Sequence, residues 1–522
     1  MKLERTKNAT RNIVFGIVLK IYQIAVPFIL RTAMIHYLGM EYLGLNSLFT
    51  SILQVLNLAE LGVGSAMVFS MYKPIAEDDT VAICALMRLY KIYYRAIGAI
   101  VLAAGLIFMP FLPYLIKSGL PDGINIYVLY MLNLGATVLS YWMYAYKNCL
   151  LSAHQRTDVP SKINFGVSSA EYVLQFLMLF VFRNYYLYLI IKLGTQALTN
   201  ILTAVIVDKM YPKYHAKGKL SNEVIRKINR RICDLFTGKI GAVIVNSVDS
   251  IVISSFLGLT TLAIYNNYYY VLTSIIGFGA VFFSACTAGI GNSLLIEMPE
   301  KNFADFKKIT LIVVWLSGFC TCCLLCLFQP FMKIWVGTDA MFGFEEVICL
   351  CLYYFVYEII SLLILFKDAA GIWHEDRFRP LATGLCNLIM NLVLVQYIGI
   401  LGILLSTILS FLFIGIPWLI HNLFTNLFHF DPMPYIKRLL YYILITVIAC
   451  LAGYFFCALI PDDGIFLLIA KGVVCCIVPN LIFLLAYYRL PEFKQVIYLI
   501  KKVIPERLFV FKKISKMIER FL

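Results

Sequence analysis

Charge is what this sequence has least of. Asp, Glu, Lys and Arg make up 14% of its 522 residues, while hydrophobic residues make up 61%. A soluble domain carries about 25% charged residues. The chain cannot clothe a water-facing surface on that allowance, so lipid is the solvent for most of it. Acidic residues are scarcest, 29 against 44 basic ones, for a net charge of +15. The basic residues sit in short loops between apolar runs, with no interleaved aromatic-and-basic module. That excludes nucleic acid as a partner and fits the basic bias of cytoplasmic loops. Histidine is rare, and His154, His215 and His374 lack ligand spacing, so they read as loop-packing residues. Gly218-Lys219 and Gly238-Lys239 lack the flanking residues of a phosphate-binding loop, which excludes a built-in ATPase of that class. No loop is long enough for a catalytic domain, so the chain is not expected to be an enzyme or to hold a cofactor or metal. Most of the 15 cysteines lie in apolar runs. Cys320, Cys322, Cys323 and Cys326 have no second cluster or histidine near them in sequence, and read as small apolar fillers. Lys2, Arg5, Lys7 and Arg11 precede an apolar run to about Leu38, too long for a signal-peptide core, so this is a first span.

What is present is a long series of apolar runs. Spans are expected near 13–36, 43–70, 91–116, 124–150, 161–182, 185–208, 234–257, 261–292, 307–335, 346–370, 379–398, 400–425, 438–460 and 464–488. They are apolar all round, so they are helices rather than barrel strands. The fold class is all-α integral membrane with about 14 transmembrane helices. An even number of crossings puts both termini on one side. With that side cytoplasmic, only Lys117, Arg183 and Lys333 of the 44 Lys/Arg fall in outer segments. Five more lie well inside spans, away from their ends: Lys20, Arg31, Lys192, Lys239 and Lys471.

The chain also repeats itself. YLGMEYLGLNS (37–47) matches FLGLTTLAIYN (256–266). Lys147, His154 and Pro160 match Lys367, His374 and Pro380, and Pro110-Phe111 matches Pro330-Phe331, at nearly one offset. Two parallel six-helix lobes follow, 1–212 and 234–430, related by an axis along the membrane normal. A basic amphipathic linker, 213–233, joins them on the cytoplasmic side. Spans 13 and 14 (431–490) form a terminal pair outside the repeat. The tail 491–522 is basic with apolar residues at helical spacing, as in a helix lying on the anionic inner leaflet.

Charges inside spans carry the functional reading. Each costs about 2.5–3.5 kcal/mol on insertion scales, so each faces a cavity or a partner. Lys20, Gln23, Pro27 and Arg31 fall close to one stripe of the first span, with the two cations about 16 Å apart in height. Asn46, Asn57, Glu60 and Gly64 form a stripe on the second span. Lys239, Asn246 and Ser250 form one on the seventh, flanked by Asp249. The stripes predict a cationic, hydrophilic cavity between the lobes for an anionic, hydroxyl-rich substrate. Its candidate binding residues are Lys20, Arg31, Lys239, Asn46, Asn57 and Asn246, with Glu60 and Asp249 as candidates for ion coupling. The competing reading is internal pairing, of Arg31 or Lys20 with Glu60 and of Lys239 with Asp249. Glu171 with Lys192 is a candidate pair, Glu358 a packing or proton-linked carboxylate, and Lys471 a residue that snorkels outward. Pro27 kinks the first span.

With its spans, its repeat and the stretch LGMEYLGLNSLFTSILQVLNLAELGVGSAMVFSMYKPIAEDD (38–79), the chain resembles the MOP exporter superfamily (multidrug, oligosaccharidyl-lipid, polysaccharide), in its Wzx-like polysaccharide-flippase branch. The resemblance implies export of an undecaprenyl-pyrophosphate-linked oligosaccharide across the bacterial cytoplasmic membrane by alternating access, for cell-surface polysaccharide. It implies that Lys20, Arg31 and Lys239 hold the phosphates. Implied partners are the lipid-linked oligosaccharide, membrane lipids, a polysaccharide polymerase and glycosyltransferases. A multidrug–cation antiporter of the same superfamily is the closer alternative, and a membrane polysaccharide polymerase the more distant one.

Overall fold

The computed structural model describes residues 2–503 apart from Leu61, Ser118, Asp122, Thr157, Asp462 and Asp463. Side chains are described from Lys20 to Ile497, with a few in 234–246 and elsewhere, Lys239 and Asn246 among them, outside that set. The chain is all-α among the described residues. The helices are α1 (Lys2–Tyr37), α2 (Met40–Leu56), α3 (Val63–Ala76), α4 (Thr80–Phe108), α5 (Ile126–Trp142), α6 (Asn148–Ala153), α7 (Asp158–Leu177), α8 (Tyr185–Met210), α9 (Asn222–Leu257), α10 (Leu259–Ile296), α11 (Pro299–Val336), α12 (Phe344–Ala369), α13 (Arg379–Ser410), α14 (Ile416–Leu423), α15 (Met433–Ala458), α16 (Ile465–Tyr487) and α17 (Pro491–Val503).

Each of the fourteen expected spans falls on helix, and the differences are in continuity. Nine helices among the described residues are long and apolar enough to cross a membrane alone, and the bent pair α5 with Ala145–Ala153 makes a tenth. Arg379–Phe428 counts there as one, yet its backbone leaves the helical region at Ile398 and Gly399 (φ 56°, ψ −131°). That break is where the eleventh expected span gives way to the twelfth. The second expected span is not one helix. Asn57–Glu60 form a 3-10 turn, and Gly62 (φ 90°, ψ −24°) opens α3 from a left-handed conformation.

The sequence repeat has a backbone counterpart. α1 gives way to α2 at Gly39 (φ 107°, ψ 170°), and α9 to α10 at Gly258 (φ 97°, ψ 173°). The repeat pairs these two positions. A residue with a Cβ is strained at such a φ, so glycine sets the geometry of both corners.

The chain forms two compact units, Met1–Asn267 with Asn391–Gly399, and Tyr268–Met390 with Ile400–Leu522. In the first, α2 is central: Leu45, Leu48 and Phe49 are fully buried. α2 packs on the helical corner after α9 so closely that a Cβ at Gly44 would lie 2.1 Å from the Leu259 carbonyl oxygen. In the second, α11 is central and packs against α12, α15, α16 and α17. Phe306, Phe366, Phe424, Phe428 and Tyr435 stack at one end of it. α17 covers the first part of the basic tail, and it packs rather than lying free. Phe493 is buried and stacks on Trp315 of α11 at 5.9 Å, and Val496 is buried too. The tail beyond 503 lies outside the described residues.

Candidate functional site

The break between α2 and α3 points a carboxylate into the first unit. Glu60 ends the 3-10 turn, where no helix continues to carry it to the lipid face. Tyr94 of α4 donates to Glu60 Oε1 at 2.6 Å, and Tyr141 of α5 donates to Oε2 at 2.8 Å. Tyr90, one turn before Tyr94, donates to the Tyr94 hydroxyl at 2.7 Å. Both carboxylate oxygens are thus held by phenols, and a third phenol extends the chain. Hydrogen bonds to an ionised acceptor are the strong kind, so the clamp gives an anionic side chain a defined place inside an apolar bundle.

Glu60 lines a partly open cavity of about 770 Å³ bordered by residues of α3 to α8. That is the size range of small-molecule sites. Tyr72, Tyr90, Tyr94, Tyr141 and Tyr144 give it aromatic walls, and Asn148, Asn164, Gln196 and Asn200 bring amides. Serines and threonines fill in between, among them Ser140, whose carbonyl accepts from Asn200 Nδ2 at 3.0 Å. Among the described residues of the wall, Glu60 is the only ionisable group besides tyrosines and Cys149, and none is Lys, Arg or His. Tyrosine offers a flat apolar face and a polar edge, and amides both donate and accept. The wall therefore suits a ligand with many hydroxyls and apolar C–H faces. A smaller cavity of about 310 Å³ shares Glu60, Gly64 and Ser65 with it and is also lined by Gln54 and Asn57. The Asn57 Oδ1 there is buried without a hydrogen-bond donor among the described residues.

The sequence pointed to Glu60, Asn57 and Gly64 but missed the tyrosines and amides around them. Tyr94 and Tyr141 lie 34 and 81 residues from Glu60, and tyrosine in an apolar run looks like packing or an interfacial anchor.

The remaining expected site residues are distributed as follows. Arg31 of α1 does not meet Glu60. Its Nη1 donates to the Asn266 carbonyl at 2.6 Å and to Asn267 Oδ1 at 3.1 Å, in the first turns of α10. Lys20 is half-buried on α1 and has no ion-pair partner among the described residues. Asn46 Oδ1 accepts from the Tyr185 hydroxyl at 3.3 Å. Asp249 of α9 is buried and accepts from Asn391 Nδ2 at 2.6 Å. The side chains of Lys239 and Asn246 lie outside the described residues. Glu171 of α7 accepts from Gln175 Nε2 at 3.2 Å, and among the described residues it forms no ion pair with Lys192 of α8.

In the second unit, Glu358 of α12 is buried against Gly279 of α10 and faces an apolar cavity of about 210 Å³. Lys471 does not snorkel outward as expected: it is 4% exposed, packed inside the unit. The paired lysines of the repeat have equivalent roles. Lys147 is buried and bridges to Asp208 at 2.6 Å, and Lys367 is buried beside Asp368 and Asp376. His154 packs on Tyr211 at 4.5 Å, as a loop-packing residue does.

No protein-family model matches the chain, and no curated protein matches it in sequence. Solved structures do match in fold. One is a lipid II flippase, MurJ, in an inward closed conformation (TM-score 0.64, 16% identity, 91% of this chain and 99% of that one). A second is an inward-facing multidrug resistance MATE family transporter of the MOP superfamily (0.58, 13%, 76% and 93%). A third is a eukaryotic MATE transporter (0.55, 11%, 78% and 93%).

Proposed function

From the premise that this chain is a multi-pass membrane protein with the fold of MOP-superfamily transporters, we propose that it is a flippase for a lipid-linked oligosaccharide. It carries an undecaprenyl-pyrophosphate-linked repeat unit from the inner to the outer leaflet of the bacterial cytoplasmic membrane, for cell-surface polysaccharide. Both termini are cytoplasmic, and two parallel lobes, 1–212 and 234–430, alternate access. The polymerase and glycosyltransferases of the same polysaccharide are its functional partners.

The observation that carries this reading is the cavity around Glu60. A wall of tyrosines and amides with a single carboxylate suits the sugar portion of such a substrate. The lipid tail never has to leave the bilayer. The head group does, and a bare pyrophosphate in hydrocarbon would be prohibitively unfavourable. Lys20, Arg31 and Lys239 are its proposed counter-charges along the path, with Asn46, Asn57 and Asn246 solvating the head. Arg31 is suited to this, because its bonds to Asn266 and Asn267 hold the guanidinium in one place. An inside-negative potential favours outward movement of an anion by about 2.3 kcal/mol per charge per 100 mV. Glu60 and Asp249 are the proposed ion-coupling carboxylates.

One observation favours a second reading, a multidrug–cation antiporter: among the described residues the formal charge in the cavity wall is negative, which attracts an aromatic cation. Cells separate the two. In a strain whose surface polysaccharide depends on this chain, Tyr141→Phe and Arg31→Ala should accumulate lipid-linked intermediates and lose surface glycan. Normal glycan with lost tolerance to cationic drugs would replace the first reading by the second.

A further inference from the structure

The cysteines read from sequence as fillers lack a second cluster only along the chain. The fold supplies one. α11 contributes Cys322 and Cys326, one helical turn apart on one face. α15 contributes Cys450 and Cys457, and α16 contributes Cys475. All five are buried and pack on one another within the second unit. The sulfurs of Cys322, Cys326 and Cys475 lie within 4.8 Å of one another, and Cys457 Sγ is 3.6 Å from Cys475 Sγ. The Cys322 sulfur occupies a notch that only glycine leaves open, since a Cβ at Gly453 would lie 2.5 Å from it. Buried Lys471 lies one turn before Cys475, and the Cys457 thiol donates to its backbone carbonyl at 3.7 Å.

We propose that these sulfurs form a binding site for a soft monovalent metal ion, copper(I), held by Cys322, Cys326 and Cys475 with Cys457 beside them. Sulfurs bound to one metal at about 2.3 Å lie about 4 Å apart; the three grouped sulfurs are within 4.8 Å of one another, so shifts of about 1 Å in flexible side chains close the site. Thiolates select copper(I), zinc or iron–sulfur clusters. Coordination number chooses among them. A structural zinc takes four protein ligands in a tetrahedron, whereas the sulfurs grouped here are the three of Cys322, Cys326 and Cys475, a number that suits copper(I). Copper(I) with two thiolates carries one net negative charge, and the third sulfur binds as a neutral thiol. Lys471, buried one turn before Cys475, places a positive side chain on the same helix as that charge. Binding releases two protons from the thiols to bulk and involves no change of oxidation state.

The test uses the full chain, purified in detergent under reducing, anaerobic conditions. It is loaded with copper(I) as its acetonitrile complex and then competed with bicinchoninate. The expected result is one ion retained per chain, with a sulfur-only first shell in X-ray absorption. Cys326→Ala and Cys475→Ala should lose it, Cys233→Ala should keep it, and Lys471→Gln should weaken it by roughly 10- to 100-fold, as loss of an outer-shell partner does. Zinc ion offered in the same way should not be retained. The absorption spectrum of the unmutated chain decides the matter if the cluster variants fail to fold. The proposal is overturned if no copper is retained, if nitrogen or oxygen dominates its first shell, if zinc is held in preference, or if Cys475→Ala retains as much copper. Loss or survival of glycan export does not bear on it.

Discussion

Removing the phenol that holds one oxygen of Glu60 should weaken the first unit by an amount that depends on which phenol goes. Tyr141→Phe deletes one 2.8 Å bond to Oε2 and nothing else. Tyr94→Phe deletes the 2.6 Å bond to Oε1 and also leaves the Tyr90 hydroxyl, itself in a buried residue, without its acceptor. A hydrogen bond to a charged group contributes about 1.5–3 kcal/mol in soluble proteins, while interhelical bonds in membranes average about 0.6 and reach about 1.7. Tyr141→Phe is therefore expected to cost about 1–2 kcal/mol. Tyr94→Phe should cost about 1 kcal/mol more, for the orphaned phenol. The assay is reversible unfolding of the purified chain in bicelles, with Glu60→Gln completing a double-mutant cycle for each tyrosine. Coupling above about 0.5 kcal/mol marks a real contact. Equal costs for the two variants, or coupling near zero in both cycles, would refute the clamp.

Gly39→Ala and Gly258→Ala each force a Cβ into a left-handed conformation and should each cost about 1–3 kcal/mol. The two should agree closely because their backbone angles do, and an effect at only one in the same unfolding assay would break the equivalence of the corners. Arg31→Ala loses both bonds to the start of α10 and should cost about 1.5–3 kcal/mol of stability. It should also lower glycan export at least tenfold in cells. Arg31→Lys, a point charge without the planar fork, should recover part of the export, and full export by the alanine variant would remove Arg31 from the path.

The helices were legible because hydrocarbon imposes a simple rule: a crossing segment must be apolar and must bond its own backbone. The rule gives no warning of a broken segment that stays apolar. Asn57–Gly62 reads as one more turn of the second span, yet it holds the 3-10 turn that aims Glu60. Gly399 was legible as a boundary because the apolar run there is too long for one crossing. For the site, a charge in a span announces itself by its insertion cost, and so Glu60, Arg31 and Asp249 stood out. Their partners did not. The sequence suggested cations for Glu60, but its donors are tyrosines of α4 and α5, neutral and at home in apolar runs. The place of Lys471 within a span says nothing of the face it occupies, and the structure buries it. The thiols of α11, α15 and α16 meet only once α15 and α16 have packed on α11.

The central claim is that the chain moves the head group of a lipid-linked saccharide across a bilayer. The most direct measurement is in proteoliposomes containing the purified chain and a labelled undecaprenyl-pyrophosphate oligosaccharide, with an impermeant reagent reporting the label on the outer face. The account predicts transfer that depends on the chain, accelerates when the compartment that the substrate leaves is made negative, and falls with Glu60→Gln and Tyr141→Phe. Label that crosses no faster than in protein-free vesicles, while the same vesicles exchange an aromatic cation, would contradict it.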